Sequence, residues 1–374
     1  MVSKFFSVFF FFFIWKTFAI VPVPIATVDR SLWPYKMDSN TSFDISSKCE
    51  MLVFIEVLNK FDNLSENVLI NELGVKTFNT TSIEKWRNKV KVEIVNNFKS
   101  LSDGSLNEVV SVKKNSSWET LSAIPLGSKM PKNLEKWYLA SQRFYKMYII
   151  EQLRLAAMFP RITSEVFQIT DDEVLGDDFS QKSFLLTFDD GPTPKNGNTD
   201  KLISVLQKES LSGLFFLLGD NLNNRTKTQS LKDIRVMYGT NKVASHGKVH
   251  KSHQGYAEWK ESIDYTNNLI IQIFNPQNNK MVYFRPPYGQ RKQNSIDYIK
   301  KNHSKIILWN MDSQDWSGNI TAKQVADRQI TLMLLWRKGI LLFHDVHSKA
   351  QFAVPYIHDY FKNASVNWMS PNQI

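Results

Sequence analysis

From Ser183 to the C-terminus the chain alternates short apolar runs with longer stretches whose apolar residues recur at helical spacing, and no other feature restricts its fold as much. The runs are SFLLTF from Ser183, GLFFLL from Gly213, KVASH from Lys242, MVYFR from Met281, KIILWN from Lys305, GILLFH from Gly339 and VNWM from Val366. Between them lie TDKLISVLQKE, EWKESIDYTNNLIIQIF, NSIDYIKKN, TAKQVADRQITLMLLWRK and AVPYIHDYFK. Parallel strands need a crossover, and an amphipathic helix supplies one, so the alternation predicts an α/β fold. Seven runs point to a barrel rather than an open sheet. In such barrels chemistry gathers at the C-terminal ends of the strands, which is where this chain places its unusual polar residues.

The first half has a different rhythm. Residues 31–166 read as mostly helical, with apolar positions at helical spacing in CEMLVFIEVLNKF, SIEKWRNKVKVEIVNNFKSL and LEKWYLASQRFYKMYIIEQLRLAAMF. Ser82 before Ile-Glu-Lys is expected to start one helix, and Pro131 sits at the start of another. No catalytic constellation appears there, and its aromatic stripe reads as core. The acidic, polar stretch 170–182 reads as a linker into a second unit, 183–374. At the N-terminus, residues 1–26, Lys4 precedes an apolar run from Phe5 to Trp15. That run is short for a bilayer span and is expected to be a signal peptide or an N-terminal membrane anchor, which predicts a secreted or periplasmic protein.

Composition narrows the function further. A single cysteine, Cys49, excludes an intramolecular disulfide and a cysteine-based zinc cage, and is expected to be a small buried hydrophobe. The net charge of +10 fits an anionic cell-wall polymer, an acidic glycan or a lipid surface as partner, although scattered lysines also make an ordinary solvated surface. No dense basic run or nucleic-acid motif is present, so no nucleic-acid partner is expected.

Five strand ends carry the chemistry. Asp189 and Asp190 end the first run; His246 and His250 follow the third; Arg285, Pro286, Pro287 and Tyr288 follow the fourth; His344 ends the sixth. Asp312 and Asp315, before Trp316, lie beyond the fifth. Each alone has an ordinary explanation as a solvated strand-end group. A spacing of four puts His246 and His250 on one side of a helical turn, and Asp190 can complete a His-His-carboxylate set with open positions, as at catalytic zinc and some iron sites. His253 is a competing ligand. Asp189 is then left as a general base, with the Gly191-Pro192 break fixing the angle between the two acids. Because Pro286 and Pro287 have no N–H, Tyr288 offers the first backbone donor to an oxyanion after Arg285. His344 is a proton donor, with His347 as the alternative, and an acidic partner would keep it charged.

The segments TFDDGP, SHGKVH, FRPPYG, DSQDW and LFH, in that order, resemble the five motifs of the NodB-homology polysaccharide deacetylases, carbohydrate esterase family 4. The resemblance runs from about Ser183 to Asn363 and leaves the first half uncovered. It implies a distorted (β/α)7 barrel preceded by the mostly α-helical region. It also implies a divalent metal, zinc first and cobalt, nickel or iron as alternatives, on Asp190, His246 and His250. By the same resemblance Asp189 is the base oriented by Arg285, the Tyr288 N–H helps bind the oxyanion, and His344 is the acid paired with Asp315, with Asp312 the second choice. Trp316 and Leu342 would wall the acetyl pocket. Gly247 departs from the family pattern, which usually has Ser or Thr there. The implied activity is removal of N-acetyl groups from N-acetylglucosamine-type residues of a glycan, with peptidoglycan the first expectation and exopolysaccharide or chitooligosaccharide next. The alternatives are O-acetyl esterase action on an acetylated polysaccharide and a non-catalytic glycan-binding protein.

Overall fold

A computed structural model describes residues 25–158, 168–275, 277 and 280–374. The expected signal or anchor falls outside these residues apart from its last two, as do residues 159–167 at the end of the expected helical region.

The first half is helical. Its elements are α1 (Asn40–Asp62), α2 (Glu66–Leu73), α3 (Thr80–Lys99), the short α4 (Trp118–Ser122) and α5 (Leu126–Lys129), and α6 (Glu135–Met158). Ser39 and Ser42 bond reciprocally at the start of α1, satisfying N–H groups that have no partner within the helix. α3 starts two residues earlier than expected. Asn79 is its N-cap and accepts the Ser82 N–H at 2.8 Å, so Ser82 lies inside the first turn. Cys49 is buried in α1, and burial pushes its thiol up to about 12, leaving it without thiolate character at neutral pH.

The second half places parallel strands between helices: β1 (Ser183–Asp189), α7 (Asn198–Lys208), β2 (Leu214–Leu217), α8 (Gly219–Thr226), α9 (Leu231–Tyr238), β3 (Lys242–Ser245), α10 (Trp259–Phe274), α11 (Gln293–Lys301), β4 (Met311–Asp312), α12 (Ala322–Trp336), β5 (Gly339–His344), α13 (Lys349–Phe361) and β6 (Asn367–Trp368). The order is β3-β2-β1-β5-β4, with β6 against the start of β1. Beyond β3, Ser245 bridges Phe284 and Phe284 bridges Ile306. The same segment, a few residues later, pairs Met311 and Asp312 with β5. One stretch, 306–312, thus touches both edges, and the ring closes as a distorted barrel.

Two of the seven expected strands therefore appear as single bridges rather than ladders. The run from Met281 stops at Pro286 and Pro287, which cannot donate to a neighbour. The run from Lys305 bends at Asn310, whose side chain takes over the pairing: Oδ1 accepts the Ile340 N–H at 2.9 Å and Nδ2 donates to the Lys338 carbonyl at 3.2 Å.

The two halves share one core. α12 is buried on every side from Val325 to Trp336, with the barrel on one face and α1 and α3 on another, and a continuous apolar cluster joins both halves. Buried charges cross the same boundary: Arg337 pairs with Asp44 at 2.8 Å and donates to Ser47 Oγ at 3.0 Å. Removing one partner of such a pair costs about 3–5 kcal/mol, so the helical half is part of the folded unit. The stretch 170–182, read from composition as a linker, is likewise packed: Val174 bridges Ile307, Leu175 is buried, and buried Glu173 pairs with Arg291 at 2.6 Å. Acidic residues here serve a buried ion pair rather than solvation.

Candidate active site

The barrel interior follows from the two-residue period of its strands. Leu185, Leu214, Phe216, Ala244, Ile307, Ile340 and Leu342 fill it, whereas Phe184, Leu186, Phe188, Phe215, Leu341 and Phe343 face the surrounding helices. Four residues past Leu185 on β1 and two past Leu342 on β5, the inward positions become Asp189 and His344, which are register partners. Asp312 lies opposite Leu342 and also faces in. The polar site is thus the open top layer of an apolar barrel.

Asp190 does not continue the alternation. Its φ of 79° takes the chain into the left-handed region just past β1, and both carboxylates end in the same cavity. The two acids differ in surroundings rather than facing opposite ways, as strand geometry alone would have them. The turn is held by an N–H bond from Asp190 to the Phe216 carbonyl at 3.2 Å and by Asn221 Nδ2 donating to the Asp190 carbonyl at 2.7 Å. Gly191 is needed here, because a Cβ would lie 2.0 Å from Asp345 Oδ2. Thr199 Oγ1 donates to that same carboxylate oxygen at 2.6 Å, and burial raises the Asp345 carboxyl to about 7 against this bond.

Asp190 Oδ1 stands 3.5 Å from His246 Nε2 and 3.5 Å from His250 Nε2, and ligand atoms of the three residues all lie within 4.8 Å of one another. Asp190 Oδ1 is buried with no hydrogen-bond partner. His246 Nδ1–H donates to the Arg285 carbonyl at 2.8 Å, which leaves Nε2 with its lone pair toward the cavity. Burial drives His246 well below its ordinary value and also lowers His250, where Asp190 opposes the shift; both rings are neutral. An unpartnered carboxylate oxygen facing two neutral imidazoles is a donor set suited to a divalent cation.

The segment 246–250 is a loop, not the helical turn expected from its spacing. Gly247 at φ 80° bends it, and its N–H donates to Ser245 Oγ at 3.2 Å. His253 is not brought to the cluster. Its buried ring packs against Phe284 at 5.1 Å between centroids, and desolvation lowers it to about 4.

Asp189 is buried and bonded to Arg285 Nη1 at 2.8 Å. Arg285 is itself fixed by Thr187 Oγ1 at 2.9 Å and by the carbonyls of Ile307 and Leu308 at 3.0 and 2.7 Å. Burial raises the Asp189 carboxyl to about 6, with Arg285 pulling it back down. On the neighbouring strand β5, His344 Nδ1–H donates to Asp315 Oδ1 at 2.7 Å. Burial disfavours the imidazolium, but Asp315, joined by Asp189 and Asp190, more than compensates and His344 rises to about 10. Asp312 instead accepts two bonds from Gln314, at 2.8 Å from N–H and 3.0 Å from Nε2, and His347 is outside the cavity lining.

The cavity has a volume of about 460 Å³. Leu342 and Trp309 form its apolar lining; the half-exposed Trp316 and Tyr288 stand at its rim. Tyr288 has φ 59° and meets His250 edge-on at 4.3 Å. Sequence reasoning missed Thr187, although it shares the inward face with Asp189 two residues on. It also missed Glu151, Gln152 and Leu155 of α6, which line the cavity from the helical half and carry no local sequence signal.

Comparisons with known proteins find similarity over part of the chain. Residues 176–307 match the family model described as polysaccharide deacetylase. A bifunctional xylanase/deacetylase of Pseudobutyrivibrio xylanivorans is 27% identical over 200 residues, 52% of this chain and 31% of that protein. A peptidoglycan-N-acetylglucosamine deacetylase of Bacillus cereus is 29% identical over 143 residues, 37% of this chain and 48% of that protein. This chain thus spans less than half the length of either relative. The crystal structure of the Bc1960 peptidoglycan N-acetylglucosamine deacetylase, in complex with an N-oxidanyl benzamide, superposes with a TM-score of 0.47 at 20% identity, over 54% of this chain and 92% of that one. The match to the polysaccharide deacetylase family lies in residues 176–307, which carry Asp189, Asp190, His246, His250 and Arg285 of the site.

Proposed function

We propose that the chain hydrolyses N-acetyl groups on N-acetylglucosamine-type residues of a glycan, with peptidoglycan the first substrate, releasing acetate and a free amine. The observation that carries this reading is the buried, unpartnered Asp190 Oδ1 midway between two neutral imidazoles, in one cavity with a carboxylate near neutrality and a charged imidazole. Asp190, His246 and His250 would hold a divalent ion, zinc before cobalt, nickel or iron. Bound there, it would supply Lewis acidity toward the amide carbonyl and lower the pKa of water.

The chain's own groups divide the remaining work. Asp189 takes a proton from the attacking water as the new C–O bond forms, and a value near 6 suits a base working at neutral pH. Arg285 fixes its carboxylate. The Tyr288 N–H faces the developing oxyanion, which grows as the carbonyl becomes tetrahedral. His344, charged through Asp315, gives its proton to the nitrogen as the C–N bond breaks, converting a poor leaving group into an amine. Trp316 and Leu342 hold the acetyl methyl away from water.

Acetate release from peptidoglycan and from N-acetylglucosamine oligomers by the purified chain tests the reading. Retention of substantial turnover by Asp189→Asn would overturn the assignment of the base. The name of the Pseudobutyrivibrio relative, which joins a xylanase to a deacetylase, supports O-acetyl removal from an acetylated polysaccharide as second reading, and acetylated xylan in the same assay separates the two. Glycan binding without acetate from any substrate would favour a non-catalytic binder. A secreted or periplasmic location, with attachment to the wall or membrane surface, is part of the proposal; the apolar run Phe5 to Trp15 and the charge of +10 support it. Among the described residues no helix is long and apolar enough to cross a membrane.

A further inference from the structure

We propose that α6 is a fixed wall of the catalytic cavity that restricts it to short acetylated glycans or to the ends of longer ones; this rests on the deacetylase reading above. Glu151, Gln152 and Leu155 occupy one face of α6 and line the same cavity as Asp189, His250, Tyr288 and Trp316. The barrel's own strand ends supply the floor and the rim. α6 adds a side from outside the family match, which begins at residue 176.

The wall is tied to the floor. The Glu151 carboxylate accepts Arg328 Nη2 at 2.8 Å and the Ala26 N–H at 2.6 Å, while Arg328 Nη1 donates to the Ala26 carbonyl at 3.0 Å. Arg328 Nε then donates at 2.9 Å to the carbonyl of Asp312, a cavity residue. Arg328 is fully buried, and α6 also packs on α1 and α3, so moving the wall would unpair buried charge and open core. It is a rigid boundary rather than a flap.

A polymer deacetylated at an interior sugar must enter and leave the site on opposite sides. A wall on one side blocks that passage, and a cavity of about 460 Å³ is in the range of small-ligand pockets, about 300–1,000 Å³. Leu155 is the half-buried apolar residue on this wall and can be changed without touching the Glu151–Arg328 pair.

The test uses the full chain, Leu155→Ala and Leu155→Trp with short and long N-acetylglucosamine oligomers and a soluble acetylated polymer. Acetate release gives kcat/KM for each length, and intrinsic tryptophan fluorescence gives binding independently of turnover. The wild type is expected to favour short chains; Leu155→Ala should raise the long-to-short ratio by about tenfold and Leu155→Trp should lower it by a similar factor, in both readouts. Equal use of all lengths by the three proteins would overturn the wall while leaving the deacetylase reading intact. Absence of acetate from every substrate, with binding still shifting toward longer chains in Leu155→Ala, would support the wall and overturn the deacetylase reading.

Discussion

Asp315 holds His344 by both its ring and its backbone: Oδ1 accepts the Nδ1–H at 2.7 Å, and Oδ2 accepts the main-chain N–H at 2.9 Å. The carboxylate is fully buried, so its charge acts on the imidazole with little screening, and the ring cannot rotate without breaking the bond.

Replacing Asp315 by Asn keeps the size and removes the charge. His344 then loses the interaction that lifts it to about 10, and the alkaline limb of the pH–rate profile should move toward neutral pH. Acetate release at neutral pH should fall by about 10²-fold or more, within the range for loss of a general acid. Stability follows the same sign. A folded value raised above 6.5 stabilises fully below that pH and loses the contribution as pH climbs through 10, so the melting difference between wild type and Asp315→Asn should be largest near pH 6 and shrink toward pH 10.

Arg285→Gln tests the other side of the reaction. The guanidinium opposes the burial that raises Asp189 to about 6, so its removal should push that carboxyl higher and shift the acid limb of the profile toward alkaline pH. The Ile307 and Leu308 carbonyls and Thr187 also lose their donor. A stability loss of about 3–5 kcal/mol is expected, readable by urea titration alongside the pH profile.

Strand periodicity made much of this legible in advance. Asp189 and His344 face inward because they continue Leu185–Thr187 and Ile340–Leu342, patterns visible in the residues themselves. The same rule would turn Asp190 to the opposite face, since a left-handed residue after a strand has no signature in alternation. His246 and His250 were paired by a spacing that suits a helix, yet a glycine bend in a loop produces the proximity. Glu151 and Leu155 were invisible because their role depends on how α6 docks on α12, a contact between segments some 170 residues apart, as the Glu151–Arg328 bond at a separation of 177 shows. Composition misled for 170–182, where Glu173 is acidic because Arg291 is buried beside it.

Chelation should separate the ion-holding role of Asp190, His246 and His250 from the fold. Dialysis against a strong chelator should abolish acetate release while leaving the circular dichroism spectrum unchanged, because the barrel's core lies below the site. Adding back zinc should restore activity and raise the melting temperature by linkage, worth about 2.7 kcal/mol at a hundred times Kd. His250→Ala should show neither response to zinc at that concentration. Full activity after exhaustive chelation would remove the ion from the mechanism.

Gly247 offers the most discriminating single change, because the family resemblance and the geometry disagree about it. The resemblance favours Ser or Thr at this position, so restoring Ser should help if a hydroxyl is all that is missing. The backbone argues otherwise: φ is 80°, and a Cβ would lie 3.0 Å from both His253 Nε2 and Ser262 Oγ. An L-residue there costs about 1–2 kcal/mol from the left-handed conformation alone. Ser262 Oγ also accepts the Lys248 N–H at 2.8 Å, so displacing it loosens the loop between His246 and His250. Gly247→Ser and Gly247→Ala should therefore behave alike, each needing more zinc for half-maximal acetate release and melting below wild type at saturating zinc. If Gly247→Ser instead reaches half-maximal activity at lower zinc than wild type, the hydroxyl outweighs the backbone strain, and the loop must relax in a way that frees His253 and Ser262.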